Sequence, residues 1–236
     1  MAELLDRSPI RFFDKTTNGG LKAGEIGLVT SKKGLGKTSV LVQFGMDTLL
    51  ADKQLVHVSF DQKSTNVISW YDGVFTEIAK KKNLGNSADL KDQIMRNRTI
   101  FNFNQDNFSL AKVVTTLKAY STSGITLSGV VIDGVTLSSV SKDDLKAVQA
   151  FAKEANVTVW MSATAEGEDL EDSAPKALLP YFASVVHLAS RNLCLSLKNN
   201  CFRQFYKSYR LITNRLLSRG RFFARRLADE NFFVGE

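Results

Sequence analysis

Cysteine and histidine are scarce in this sequence, and long apolar runs are missing. Among 236 residues there are two cysteines, Cys194 and Cys201, and two histidines. So few sulfur and imidazole ligands do not form the pattern of a zinc site, and nothing in them points to an oxidising compartment. No run approaches the roughly 20 apolar residues of a membrane-spanning helix. Because the N-terminus carries Glu3, Asp6 and Arg7 and lacks an apolar core, it is no secretory signal, and we expect a cytoplasmic protein.

The charge that is present is unevenly distributed. The chain has 31 Lys and Arg against 24 Asp and Glu residues, and a net charge of +7. Residues 191–236 hold ten of the basic and three of the acidic side chains, which leaves 21 of each sign in residues 1–190. The whole excess of positive charge therefore lies in the C-terminal segment, which is typical of a separate interaction element.

Short apolar runs alternate with helical patterns along the first 190 residues. They predict strands at 26–30, 55–60, 99–103, 128–133, 157–162 and 184–188, and helices at 37–50, 67–82, 110–120 and 142–154. Since alternating strands and helices are joined by crossovers, we predict an α/β fold with a mostly parallel sheet flanked by helices. An apolar run at 193–197 follows the last of these strands closely and suggests a terminal β-hairpin.

The polar stretch between the first strand and the first helix has the pattern of a phosphate-binding loop. That pattern is Gly, four variable residues and then Gly-Lys-Ser/Thr, and only the first glycine is replaced here, by Ser31. Glycines in the loop let its N–H groups point at phosphate oxygens. Lys37 is positioned to contact the β- and γ-phosphates, and the hydroxyl of Thr38 is positioned to bind Mg²⁺. The predicted nucleotide-binding residues of the loop are Ser31, Lys32, Lys33, Gly34, Leu35, Gly36, Lys37, Thr38 and Ser39.

Lys32 leaves a second interpretation of this loop open. A lysine five residues before the loop lysine marks the ParA-like variant of the motif. In that family the loop normally lies near the N-terminus, whereas about 25 residues precede the first strand here. The spacing alone therefore does not decide between the two kinds of loop.

Asp133 is the candidate second ligand of Mg²⁺. It ends the apolar strand at 128–133, where a carboxylate could hold the ion through water. The following Gly134 also makes an ordinary turn compatible with the sequence. The order and spacing of loop and strand favour the metal role.

Asp61 is the candidate base. It follows the second strand, and ligands of open parallel sheets bind beyond the carboxyl ends of the strands. It could orient an attacking water, and a helix cap or a solvated loop acid is the alternative. Ser162, Thr164 and Glu166 follow a later strand and could sense a γ-phosphate, although polar residues are common at strand ends.

With these motifs the chain resembles the RecA-like ATPases, and within them the KaiC, RadA and DnaB-type branch. The resemblance begins at residues 19–26, which are similar to the Gly-Gly-Leu-x-x-Gly-Glu lead of that family. It continues through the loop, through 58–61 and 131–134, and to 197–200, so it covers roughly residues 8–200. It assigns the loop to the RecA-like group rather than the ParA-like one, and it implies one RecA-like nucleotide-binding domain over residues 1–200.

The resemblance also implies roles for individual residues. Family members have a glutamate where this chain has Asp61, which is one methylene shorter, so hydrolysis is expected to be slow or absent. In the family a Lys or Arg also reaches the γ-phosphate of a neighbouring subunit. Lys198 matches that position, and Asn200 stands where the family has an arginine. The resemblance thus implies ATP and Mg²⁺ as ligands, Lys37 and Asp61 as catalytic residues, and a homo-oligomer with ATP between subunits.

Residues 201–236 form a basic, aromatic-rich tail that the resemblance does not reach. Its apolar residues are three and four apart, which predicts a helix. They are Phe202, Phe205, Tyr209, Ile212 and Leu216. Such a helix could bind nucleic acid, bind an anionic membrane surface, or pack on its own domain or on a neighbour.

Three functions follow from these features. We expect an ATP-binding regulator or oligomeric assembly motor with slow ATPase activity. A non-hydrolysing nucleotide-binding scaffold or signalling module is the second interpretation, and a nucleic-acid-acting ATPase that uses the tail is the third.

Overall fold

The computed structural model describes residues 9–17, 19–60, 62–82, 84, 87–104, 106, 109–167, 174–191, 208–215 and 225–228. Its helices are α1 Pro9–Thr16, α2 Lys37–Leu50, α3 Ser64–Lys82, α4 Ser87–Met95, α5 Leu110–Ser121 and α6 Lys142–Glu154. Its strands are β1 Ile26–Ser31, β2 Gln54–Ser59, β3 Arg98–Asn102, β4 Leu127–Val135, β5 Thr158–Thr164, β6 Ser184–Arg191, β7 Ser208–Arg215 and β8 Arg225–Ala228. Within these ranges, no helix combines the length and the apolar character needed to cross a bilayer.

The described strands form one sheet in the order β3-β2-β4-β5-β1-β6-β7-β8. The first six strands of the chain are mutually parallel, and β7 and β8 pair antiparallel at one edge. The predicted α/β fold with a mostly parallel sheet is therefore confirmed. The carboxyl ends of β1, β4 and β5 come to the same edge of the sheet, because these three strands are neighbours and run in one direction.

Both faces of the parallel sheet are covered by helices. Along β4, Val130 and Ile132 pack into a core cluster that includes residues of α5 and α6. Val131, between them, packs into a second cluster that includes residues of α1, α2, α3 and α4. Burial on both faces explains why central strands such as β1 and β4 are near-continuous apolar runs rather than alternating ones.

The tail is predicted to be helical, whereas its described residues, 208–215 and 225–228, form strands. The backbone of β7 pairs with every residue of β6 from Ser184 to Arg191, so hydrogen bonds to the open sheet edge take the place of the internal hydrogen bonds of a helix. Residues 193–197, the predicted return strand of the hairpin, and the rest of the tail lie outside the described residues.

Gly27 lets an aromatic cluster approach β1. It stands opposite Trp160 of β5, and a methyl group at Gly27 would lie 2.5 Å from the indole ring. Trp160 stacks on Phe44 at 4.1 Å between ring centroids and makes an edge contact with Phe13 of α1. This cluster attaches α1 and α2 to the sheet.

We predict opposite effects for two glycine-to-alanine substitutions. Gly27→Ala should destabilise the protein by about 1–3 kcal/mol, because the added methyl group meets the buried indole. Gly73→Ala is the matched control within α3, where a methyl group meets nothing within 4 Å. It should stabilise the protein by about 0.5–1 kcal/mol, because alanine favours the helix. Urea unfolding of both variants measures the difference, and a Gly27→Ala variant as stable as the parent would contradict this packing.

His57 is a buried imidazole between β2 and α3. Its Nδ1 lies 3.0 Å from the hydroxyl of Tyr71, and the Arg98 guanidinium lies 4.8 Å from the centre of the Tyr71 ring. Burial, with a smaller contribution from Arg98, lowers the pKa of His57 to about 3. His57 therefore stays neutral in the folded protein throughout the physiological pH range.

This pKa predicts a loss of stability in mild acid. Below about pH 6.5 the unfolded chain protonates His57 while the folded chain does not, so stability falls by up to about 1.4 kcal/mol per pH unit until about pH 3. Above about pH 6.5 this residue contributes no pH dependence. When the pH is lowered from about 7.5 to about 5, the free energy of unfolding should fall by about 2 kcal/mol less for His57→Gln than for the parent, as measured by chemical unfolding. Equal losses in the two proteins would show that His57 is not buried in the neutral form.

Candidate nucleotide-binding site

The loop after β1 turns sharply into α2. Gly34 and Gly36 have φ angles of 82° and 88°, a region that side-chain-bearing residues rarely adopt. Gly36 is the N-cap of α2 and supplies no side-chain hydrogen bond to the first turn. The N-terminal end of α2 carries a partial positive charge, and its N-cap residue has no side chain to cap it. A helix end of this kind suits a bound phosphate.

Ser31, in the place of the first glycine, supports the loop from inside the protein. It is fully buried at the end of β1, and its hydroxyl donates to the carbonyl of Lys32 at 2.8 Å. Its own carbonyl accepts from the N–H of Ala165 at 2.9 Å. Ser31 therefore stabilises the start of the loop, whereas Lys32 and Lys33 beyond it are exposed.

Thr38 and Asp133 are brought together across the sheet edge. Thr38 lies in the first turn of α2, and its hydroxyl donates to Oδ2 of Asp133 at 2.7 Å. Asp133 is 1% exposed, although it is a carboxylate. A buried carboxylate is costly unless its oxygens accept hydrogen bonds or bind a cation, so this contact is a strong sign of a built site.

The other oxygen of Asp133 is occupied as well. Its Oδ1 accepts a hydrogen bond from the hydroxyl of Ser162 on β5, and the carbonyl of Asp133 accepts from the N–H of Phe60 at 3.0 Å. The loop after β2 is closed by Ser59, whose hydroxyl accepts from the N–H of Gln62 at 3.0 Å. Three strand ends thus converge on one carboxylate.

The arrangement suits a cation that takes few ligands from protein. Within the described ranges, no three His, Cys, Asp or Glu side chains come together in a cluster that could hold a metal. Mg²⁺ is the cation that is commonly held by one or two carboxylates together with water and substrate phosphates. The pair of Thr38 and Asp133 fits that requirement, with the phosphates of a nucleotide supplying further oxygens.

The other predicted site residues differ in where they lie. Asp61 and Lys198 lie outside the described residues, so their roles stay predictions, as does nucleic-acid binding by the tail. Thr164 and Glu166 are exposed, and Ser162 contacts Asp133. The contact between Ser162 and Asp133 is not predicted from the sequence. The feature that could have indicated it is a hydroxyl near the end of the strand next to the one that carries Asp133.

A cavity of about 260 Å³ lies at the opposite end of the sheet. Its charged lining residues belong to α1 and α2, where Arg11 forms ion pairs with Asp14, at 3.0 Å, and with Asp47. Desolvation raises the pKa of the Asp14 carboxyl. Since the cavity shares no lining residue with the loop, we do not assign it to the candidate site.

The comparisons with known proteins agree with this geometry. A protein-family model described as "ATPase: KaiC" matches residues 7–165, which is more than half of the chain. The matched range contains the loop, the strands that carry Asp133 and Ser162, and all the helices described above. No match is found among curated proteins.

Proposed function

Because the chain belongs to the KaiC family of ATPases, we propose that it binds Mg²⁺-ATP at residues 31–39. We further propose that it hydrolyses ATP slowly and that bound ATP regulates or drives assembly of copies of the chain. The observation that carries the proposal is the hydrogen bond from Thr38 to Asp133, which joins the loop to the end of β4. It brings together the two residue types that hold the magnesium ion in proteins with this kind of loop.

Each part of the loop has a distinct role in this proposal. The glycine turns and the N-terminal end of α2 bind the phosphates through backbone N–H groups. Lys37, the first residue of α2, neutralises charge on the β- and γ-phosphates. Thr38 and Asp133 hold Mg²⁺, which when bound neutralises the charge that develops on the phosphates during transfer.

Asp61 is the proposed base for hydrolysis. It follows directly after Phe60, whose N–H is bound to the carbonyl of Asp133, the residue proposed to hold the metal. In the proposal its carboxylate orients a water molecule and accepts a proton from it as that water attacks the γ-phosphate. The aspartate is shorter than the glutamate of the family, which supports slow turnover.

Assembly is the finer part of the proposal. Lys198 would reach the γ-phosphate bound by a neighbouring copy, so that ATP stabilises the contact between copies. The position of Lys198 in the sequence and the membership in the KaiC family support this role. Closed rings or filaments are the assemblies that such head-to-tail contacts produce.

We predict that Lys37→Ala weakens binding of ATP in the presence of Mg²⁺ by at least about tenfold, because a charge-assisted contact to the phosphates is lost. Lys53→Ala is the matched control, since Lys53 is an exposed lysine just before β2. Titration with a fluorescent ATP analogue compares the three proteins. Equal affinity in the parent and Lys37→Ala would overturn the assignment of the loop.

Replacement of Asp61 separates a slow ATPase from a scaffold. Asp61→Glu restores the longer carboxylate, and we predict that turnover rises by about tenfold or more while ATP affinity is unchanged. Asp61→Asn should lower turnover, because the amide cannot accept the proton. Phosphate release measured under saturating ATP tests both variants. If the parent binds ATP without turnover and Asp61→Glu is equally inactive, the scaffold interpretation is the correct one.

A further inference from the structure

Ser162 is placed to act on the site without contacting a nucleotide. It lies on β5, between β4 and β1 in the sheet, and its side chain is fully buried. Its hydroxyl donates to Oδ1 of Asp133 and accepts from the N–H of Gly134 at 3.0 Å. The hydroxyl has a single proton, and that proton is committed to Asp133.

An irregularity in β4 accompanies the contact between Gly134 and Ser162. Ile132 is opposite Met161, but the next registered pair is Val135 with Ala163, so β4 contains one extra residue at this point. Gly134 has a φ angle of 84° within the bulge. A bulge disrupts the ladder locally, and here the N–H of Gly134 donates to the hydroxyl of Ser162.

The same hydroxyl determines the orientation of the Asp133 carboxylate. The terminal torsion of an aspartate has broad minima, so a carboxylate is easily rotated unless both oxygens are bound. Ser162 binds Oδ1, which leaves Oδ2 directed at Thr38 of the loop. Groups that orient a metal-binding side chain in this way commonly change metal affinity by about 10–100-fold when they are removed.

We propose that Ser162 is a positioning residue that holds Asp133 in the orientation required for the Mg²⁺ of bound ATP. This role rests on the proposed function of the loop. It predicts an effect on the magnesium dependence of ATP binding and none on the binding of ATP without metal. A purely structural role would instead lower the stability of the fold and affect both alike.

The test measures ATP affinity with a fluorescent ATP analogue at increasing Mg²⁺ concentrations. The concentration that gives half of the metal-dependent increase in affinity is called the magnesium midpoint. For Ser162→Ala we expect this concentration to rise by about tenfold, with unchanged affinity in EDTA. Ser184→Ala is the matched control, because Ser184 is a buried serine whose hydroxyl has no hydrogen-bond partner in the described part of the chain. It should leave the magnesium midpoint at the parent value.

A double-mutant cycle shows whether the effect passes through Asp133. In an Asp133→Asn background, Ser162→Ala should cause no further change in the magnesium midpoint. A parent-like midpoint in Ser162→Ala, or the same tenfold shift in the Asp133→Asn background, would overturn the positioning role. If Ser162→Ala does not fold, Ser162→Cys, which retains the size of the side chain and only a weak donor, should give a shift in the same direction. A parent protein that binds ATP without any magnesium dependence would instead overturn the proposed function itself.

Discussion

The hydrogen bond between Thr38 and Asp133 is the interaction on which the candidate site depends. It links the first turn of α2 to Asp133 of β4, although β1, the strand that leads into α2, is separated from β4 by β5 in the sheet. It also satisfies one oxygen of a carboxylate that is 1% exposed, where an unpartnered oxygen would be costly. This hydrogen bond therefore connects the buried carboxylate to the helix that follows the exposed glycine-rich loop.

The order of the strands makes that link possible. β5 lies between β1 and β4, and all three end at the same edge because they are parallel. Each of the three strands contributes one part of the site. β1 leads into the loop, β4 carries Asp133, and β5 carries Ser162. The apolar residues buried on both faces hold the strands in register, and a one-residue slip would move Asp133 to the other face. The core thus determines the geometry of the site.

Much of this structure could be predicted from the sequence, because the signals were local. Most of the parallel strands are rich in β-branched and apolar residues, the loop follows β1 directly, and Asp133 lies near the end of β4. The contacts that could not be predicted depend on distant parts of the chain. No local pattern indicated the helix at Pro9–Thr16, which is held by the contacts of Phe13 with Phe44 and Trp160. The bulge at Gly134 and its contact with Ser162 likewise appear only once β4 and β5 are paired.

The C-terminal strands illustrate the same limit. The spacing of Tyr209 and Ile212 is compatible with a helix, and only the open edge of β6 favours a strand at 208–215. Local propensity is a weak guide where an unpaired sheet edge is available. Tertiary pairing has therefore overridden the helical spacing at the end of the chain.

The central claim is that the loop and Asp133 together form a site for ATP and magnesium. Isothermal titration of the full chain with ATP, in Mg²⁺ and in EDTA, tests it most directly. The account predicts binding that is tighter in Mg²⁺ by at least about tenfold, or about 1.4 kcal/mol. ATP binding of equal strength in both buffers, or no binding in either, would contradict it.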